Sequence, residues 1–75
     1  MDVKEFKRKF AKVLSDRMWD LDINQSELAK KIGVSQVTIG TWVNRKSTPR
    51  AWLIPRLAKA LDCTVSDLVE FEDDT

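Results

Sequence analysis

The stretch from Gln25 to Asn44 constrains the fold more than any other part of this sequence. Its apolar residues stand four apart in the first half and three apart in the second, with a glycine between the halves. Residues at these spacings share one face of an α-helix, so the pattern predicts two short helices that cross at a tight turn. The inward positions are Leu28, Ile32, Val34, Ile39 and Trp42, with Ala29 where the helices touch and Gly33 at the turn.

Capping residues mark the ends of these two helices. Asn24 stands three positions before Glu27, which is the pattern of a capping box. Ser35 can cap the second helix because its hydroxyl accepts from free backbone amides. Gly33 accepts the positive φ that ends a helix abruptly. Together these signals predict a helix-turn-helix at about 25–44.

Similar signals predict three further helices. An apolar stripe opposite a lysine-rich face predicts a long first helix. Pro55 lacks an amide hydrogen and fits best near the first turn of a helix, so the fourth helix is expected to begin at about Ala51 or Trp52. Thr64 is expected to cap a short fifth helix that ends at about Phe71. The first three helices are predicted over about 3–20, 25–31 and 36–43.

The burial of several apolar residues in these helices can also be predicted. Trp42 belongs to the core by its position in the motif, and Trp19 is expected to be partly buried at the end of the first helix. Trp52 either packs under the fourth helix or is an exposed anchor for a second subunit. The residues of the fifth helix that are expected to face inward are Val65, Leu68 and Val69.

A chain of 75 residues has room for one domain with a small core. Hydrophobic residues make up 43% and charged residues 33%, a composition typical of a compact helical fold. No apolar run approaches the roughly 18 residues of a membrane span, and the charged N-terminus does not resemble a signal peptide. We therefore expect a cytoplasmic, all-α, five-helix domain over 1–75, without membrane contact and with a disordered acidic tail at 72–75.

The residues needed for most enzyme mechanisms are missing from the sequence. The chain has no histidine and no tyrosine, so the usual general base is absent. Its one cysteine, Cys63, cannot form an internal disulfide or a zinc site alone, and its neighbours suggest a small buried hydrophobe. We expect no enzymatic activity, no metal, no cofactor and no small-molecule ligand.

The formal net charge of +1 conceals a strong asymmetry along the chain. Residues 45–61 carry five basic groups and no acidic one, whereas residues 62–75 carry six acidic groups and no basic one. A localised basic segment just after the second helix of the motif suits contact with phosphates. The acidic segment would lower nonspecific affinity for nucleic acid.

The chain resembles the Cro/repressor-like (XRE-type) helix-turn-helix family of phage and bacterial regulators. The resemblance rests on NQSELAKKIGVSQVTIGTWVN, then TPR, then LAKALDCTVSDL, and covers about residues 13–70. It implies a five-helix domain of the phage-repressor DNA-binding type, usually a dimer on DNA, with the third helix in the major groove. Where the family commonly has glycine at helix ends, this chain has Asp22, Arg45 and Asp62, so those positions would need a left-handed backbone.

The outward face of the third helix, opposite Ile39 and Trp42, carries the candidate residues for base recognition. Gln36 is the first choice for direct readout because its amide can bond N6 and N7 of adenine together. Val37 can contact a thymine methyl group, and Thr41 or Asn44 can touch a base or a phosphate. The full set of candidate base contacts is Ser35, Gln36, Val37, Gly40, Thr41 and Asn44.

Candidate phosphate contacts flank this face. Gln25 resembles the family's phosphate-contacting glutamine, helped by free amides at the start of its helix, and this role is favoured over that of a solvated N-terminal residue. Arg45, Lys46 and Arg50 are the other candidates. For each of them alone a solvated surface charge is nearly as good an interpretation, but the uninterrupted block of five basic residues favours phosphate contact. The basic face of the first helix either touches the DNA backbone or is a solvated surface, and the solvated surface is favoured because amphipathic helices usually carry such a face.

The leading hypothesis is a sequence-specific regulator of transcription that binds double-stranded DNA as a homodimer on a palindromic operator. The alternative is a protein-interaction module or antitoxin-like partner with the same fold. Near-zero net charge and Gly40 in the reading helix favour the alternative. Close approach of backbone to DNA would explain Gly40 under the leading hypothesis, and weak constraint on a surface position explains it equally well.

Overall fold

The computed structural model describes residues 2–71, and over that range the chain forms five α-helices. A 3₁₀ turn at Ala51–Leu53 leads into the fourth of them. The helices are α1 (Val3–Asp20), α2 (Gln25–Ile32), α3 (Gln36–Val43), α4 (Ile54–Ala60) and α5 (Val65–Val69). The predicted all-α, five-helix fold is confirmed, while the tail predicted at 72–75 lies outside the described residues. None of the described helices has the length and apolar character to cross a membrane.

Side-chain caps begin the two helices of the central motif. The Asn24 side chain accepts from the backbone amide of Glu27 at 2.8 Å, and the Glu27 carboxylate accepts from the amide of Asn24 at 3.3 Å. The Ser35 hydroxyl accepts from the amide of Thr38 at 3.1 Å. Gly33 adopts φ 80° between them. The predicted capping box, helix cap and turn glycine are therefore confirmed, and they fix where α2 ends and α3 begins.

The last two helices differ slightly from the prediction. The chain turns at Ala51 as expected, but its first turn is 3₁₀, and Pro55 lies in the first turn of α4, where its missing amide breaks no helical hydrogen bond. The predicted end of α5 at Phe71 is wrong, because Glu70 is already extended. The Phe71 ring packs edge-on against Phe6 of α1, with the centroids 5.5 Å apart. Leaving the helix two residues early lets the ring reach α1.

The core lies where α1, α2, α3 and α4 meet, and α5 closes it at one end. Trp42 is 2% exposed, which confirms its predicted place in the core. Ala29 is 4% exposed at the crossing of α2 and α3, where the inward stripes of both helices meet. The fully buried large side chains are Phe10, Leu14, Leu28, Ile32, Ile39, Leu57, Leu61 and Leu68.

Two burial predictions are wrong. Trp19 is 86% exposed because the helix face of Leu14 and Met18 packs on the core, and the next residue points about 100° away from that face. Val65 is 41% exposed, since α5 is only five residues long and its first side chain lies at the edge of the core. Cys63 is half-buried rather than fully buried. Burial raises the pKa of its thiol above the usual value.

The three helix ends that lack glycine adopt the left-handed backbone expected of them. Asp22 has φ 53°, Arg45 has φ 65° and Asp62 has φ 54°. Side chains crowd the following carbonyl in this region, and aspartate tolerates it better than arginine. Each of the three positions therefore stores some strain that a glycine would relieve.

Asp62→Gly is expected to raise the melting temperature by about 2 to 4 °C, the shift that about 0.5 kcal/mol produces in a domain of this size. The gain comes from relieved strain at φ 54° and is partly offset by the greater freedom of glycine in the unfolded chain. Thermal denaturation followed by circular dichroism measures it. Asp62→Ala is the control and should lower the melting temperature, and an unchanged or lower value for the glycine variant would contradict the assignment.

One exposed ion pair joins the C-terminal part of α1 to α5. Arg17 of α1 lies 3.6 Å from the Asp67 carboxylate of α5. Hydrogen bonds from the backbone and side chain of Thr64, with a smaller contribution from Arg17, hold the pKa of Asp67 below its ordinary value. Asp67 therefore stabilises the fold at neutral pH, and this contribution is lost as the pH falls through its lowered pKa. Because the carboxylate is exposed, the contribution is small.

Candidate nucleic-acid interface

The outward side of α3 and the first residue of α2 form one concave surface, which we call the recognition surface. Its volume is about 390 Å³. The helix-turn-helix crossing produces it, because the inward residues of α3 are fixed in the core and the opposite face is left open. All of its lining residues are candidates from the sequence, namely Gln25, Gln36, Val37, Gly40, Thr41, Asn44 and Lys46.

The character of this surface suits an anionic ligand with polar edges. Lys46 is the one charged residue among the seven, and none of the seven is acidic. Gln36 and Asn44 are exposed and carry amides that can both donate and accept. Val37 is 77% exposed, so the centre of the surface also presents apolar area that a ligand can cover. The surface thus combines hydrogen-bonding groups, a methyl-bearing residue and a cation.

Gln25 and Gly40 meet where α2 crosses α3. The Oε1 atom of Gln25 lies 3.5 Å from the place that a Cβ on Gly40 would occupy. Because Gly40 has no side chain, the part of the recognition surface beside the Gln25 amide stays unfilled. We call this part the floor of the surface. A methyl group there would make ordinary van der Waals contact with Gln25, so an alanine fits the free protein.

Gly40→Ala is expected to stabilise the free protein by about 0.5 to 1 kcal/mol, because alanine is the better helix former and its Cβ has room. The same methyl group fills the floor of the recognition surface, so we expect affinity for DNA to fall at least about fivefold, which corresponds to about 1 kcal/mol. Chemical denaturation and fluorescence anisotropy measure the two quantities. Higher stability with unchanged affinity would show that Gly40 is a weakly constrained surface position.

Thr41 is tied to the loop after α3. Its hydroxyl donates its single proton to the carbonyl of Thr38 at 2.7 Å. In the 2.8 Å bond between Thr41 and Ser47, Ser47 must therefore be the donor. Thr41 keeps a free lone pair and a methyl group but has no proton left for a phosphate oxygen. In this arrangement it can accept from a base amino group, and it also holds the loop that carries Lys46.

The remaining three candidates lie outside the recognition surface. Ser35 is exposed, and its hydroxyl is engaged in capping α3, where it also lies 2.9 Å from the hydroxyl of Thr38. Arg45 does not line this surface and instead lines two other depressions together with Arg8 of α1. The Arg50 guanidinium stacks over the ring of Trp52 with 5.4 Å to the centroid. Trp52 is 64% exposed. Of the two positions predicted for its side chain, packed under the fourth helix or exposed, the structure shows the exposed one.

A residue of α1 reaches the edge of the recognition surface, on the helix face for which the sequence favoured a solvated surface over contact with the DNA backbone. The Lys7 ammonium donates to the backbone carbonyl of Lys46 at 3.2 Å. The two residues are 39 positions apart, and no local pattern relates them. Their proximity depends on the packing of α1 against α3.

Within residues 2–71, no cluster of three His, Cys, Asp or Glu side chains could hold a metal ion. The residues that line the recognition surface offer hydrogen bonding, apolar contact and attraction of negative charge.

Comparison with known proteins places this geometry in a family. A search of curated proteins finds no match. A solved structure, described as the P22 c2 repressor protein in complex with synthetic operator 9T in the presence of Tl⁺, is similar with a TM-score of 0.78 and 30% sequence identity. The similarity covers 84% of this chain and 96% of that one. A family model, the Cro/C1-type HTH DNA-binding domain, matches residues 13–74. The chain belongs to the family of Cro/C1-type helix-turn-helix DNA-binding domains.

Proposed function

We propose that this protein is a sequence-specific, DNA-binding regulator of transcription that inserts α3 into the major groove. The observation that carries the proposal is the recognition surface, which collects seven candidate residues on one open face without a carboxylate among them. The similar P22 c2 repressor, whose structure is with a synthetic operator, supports the proposal. We further propose a phage or prophage origin and a cytoplasmic location.

The dimensions of α3 suit the groove. The major groove of B-DNA is about 12 Å wide, close to the diameter of an α-helix with its side chains. Gln36 and Val37 lie at the start of α3 and Asn44 follows its end, so amide and methyl contacts can spread over successive base pairs. Gln36 suits adenine and Val37 suits a thymine methyl group, which together favour an A·T pair beneath the first turn.

Phosphate contacts would fix the position of α3 in the groove. Gln25 begins α2, so its side chain and the free amides of that helix end face the same ligand. Lys46 supplies a cation at the other end of the recognition surface. Arg45 and Arg50 lie outside this surface and would contact the backbone further along the duplex.

A homodimer would give the affinity that one small domain lacks. Two copies on half-sites about one helical turn apart double the contacts without new chemistry. We propose that α5 and the loop before it form the contact, with the exposed Val65 on its surface. The exposed Trp52 offers further apolar area that a second subunit could cover.

Selection from a pool of random duplexes, followed by binding measurements at two salt concentrations, tests the proposal. We expect enrichment of a palindromic site and tight binding that weakens steeply with salt, because bound phosphates release counterions. Absence of binding to selected and mixed duplexes at low salt would instead favour a protein-interaction module or antitoxin-like partner.

A further inference from the structure

The first ten residues of α1, Val3–Lys12, lie before the segment that the family model matches, and we call them the N-terminal extension. The extension contains five basic residues and one acidic residue. The basic residues are Lys4, Lys7, Arg8, Lys9 and Lys12.

The extension is packed on the domain. Phe10 is fully buried in the core, and Phe6 stacks on Phe10 with 6.1 Å between the ring centroids. Phe71, at the other end of the described chain, packs edge-on against Phe6 at 5.5 Å. Lys7 follows Phe6 directly, so the backbone that carries the lysine is held in place on both sides.

The basic side chains of the extension differ in their partners. Lys9 lies 3.6 Å from the Glu5 carboxylate, and Lys12 lies 2.9 Å from the Asp16 carboxylate. The Lys7 ammonium instead donates to an uncharged acceptor, the Lys46 carbonyl at 3.2 Å. That bond uses one of its three protons and leaves its charge uncompensated by this partner. Lys7 therefore adds a positive charge beside Lys46, at the edge of the recognition surface.

We propose that Lys7 binds a phosphate of the DNA backbone just beyond Lys46, so that the N-terminal extension adds a contact from outside the family segment. The inference rests on the proposed function, because it takes the ligand of the recognition surface to be DNA. A single ammonium with two free protons suits a phosphodiester oxygen, since it needs no particular base. Lys7 would strengthen binding to every sequence and leave the site preference unchanged.

The test compares Lys7→Ala with Lys12→Ala, which removes the same charge from the same helix. Anisotropy titrations with the selected duplex are run across a range of salt concentrations. Lys7→Ala should weaken binding about fivefold at low salt and lower the slope of log affinity against log salt by about one. Lys12→Ala should leave the slope unchanged, because its partner carboxylate cancels its charge locally. Lys7→Arg keeps a cation at this position and should preserve the slope.

Two other outcomes for these variants would overturn the inference about Lys7. Equal loss of slope in the Lys7→Ala and Lys12→Ala variants would overturn the inference in favour of diffuse attraction by the whole helix. An unchanged slope for Lys7→Ala would also overturn it, even if affinity falls, because the hydrogen bond to the Lys46 loop would then be its only role. If the unaltered protein binds no duplex, the proposed function itself fails, and that result is distinguishable from failure of the Lys7 contact.

Discussion

Replacing Gln36 by alanine is expected to weaken binding to the selected site by about 1 to 3 kcal/mol, roughly 5- to 150-fold, with little change in binding to random DNA. The reason is that Gln36 lies on the recognition surface with its amide exposed, where two hydrogen bonds to one adenine are possible. Loss of those bonds affects only sites that have an adenine at that position. Anisotropy titrations against the selected and the random duplex measure the two affinities.

Lys46→Ala is the control for this experiment. Its ammonium would contact a phosphate, so the alanine variant should weaken binding to both duplexes about equally and lower the salt slope by about one. If Gln36→Ala leaves the preference for the selected site intact, the assignment of Gln36 as the principal base-reading residue is wrong. The preference would then have to come from other residues of α3 or from the shape of the DNA.

Ala29→Leu is expected to destabilise the fold by about 1 to 3 kcal/mol, a large share of the stability of so small a domain. Ala29 is 4% exposed at the crossing of α2 and α3, and its carbonyl accepts from the amides of Gly33 and Val34 at 2.9 and 3.0 Å. Three extra carbons there would force α2 away from α3 and disturb the turn. Urea denaturation gives the change in the free energy of unfolding.

Lys30→Leu is the matched control, because it introduces the same side chain at the next position of α2, where the residue is exposed. We expect its free energy of unfolding to lie within about 0.5 kcal/mol of the unaltered protein. Similar losses in both variants would show that the leucine side chain, rather than the crowding at the helix crossing, is responsible. A loss confined to Ala29→Leu would support the crossing described here.

The parts of the fold that were predictable depend on local chemistry. The cap of α3 by Ser35 and the glycine turn at Gly33 involve residues close together in the chain. Their geometry follows from rules about short spans, and the apolar stripes then fix which face of α3 is buried. Once Trp42 is inside, Gln36 and Asn44 must be outside. The recognition surface was therefore largely predictable.

The features that could not be predicted depend on contacts between distant residues. The Lys7 bond to the Lys46 carbonyl and the Phe71 contact with Phe6 join opposite parts of the sequence. Periodicity states that a residue lies on a polar or apolar face but does not state what packs there. Trp19 is a different case, because helix periodicity alone places it about 100° from the buried face of Leu14 and Met18, so its exposure was predictable from the sequence.

Titration of isotope-labelled protein with the selected duplex, followed by NMR through the backbone amides, tests the central claim most directly. The account predicts that the largest shifts and new contacts to base protons fall on the recognition surface, at Gln36, Val37 and Gly40 above all. Shifts confined to α5 and the region of Trp52, with the amides of α3 unmoved, would contradict the claim that α3 reads the duplex.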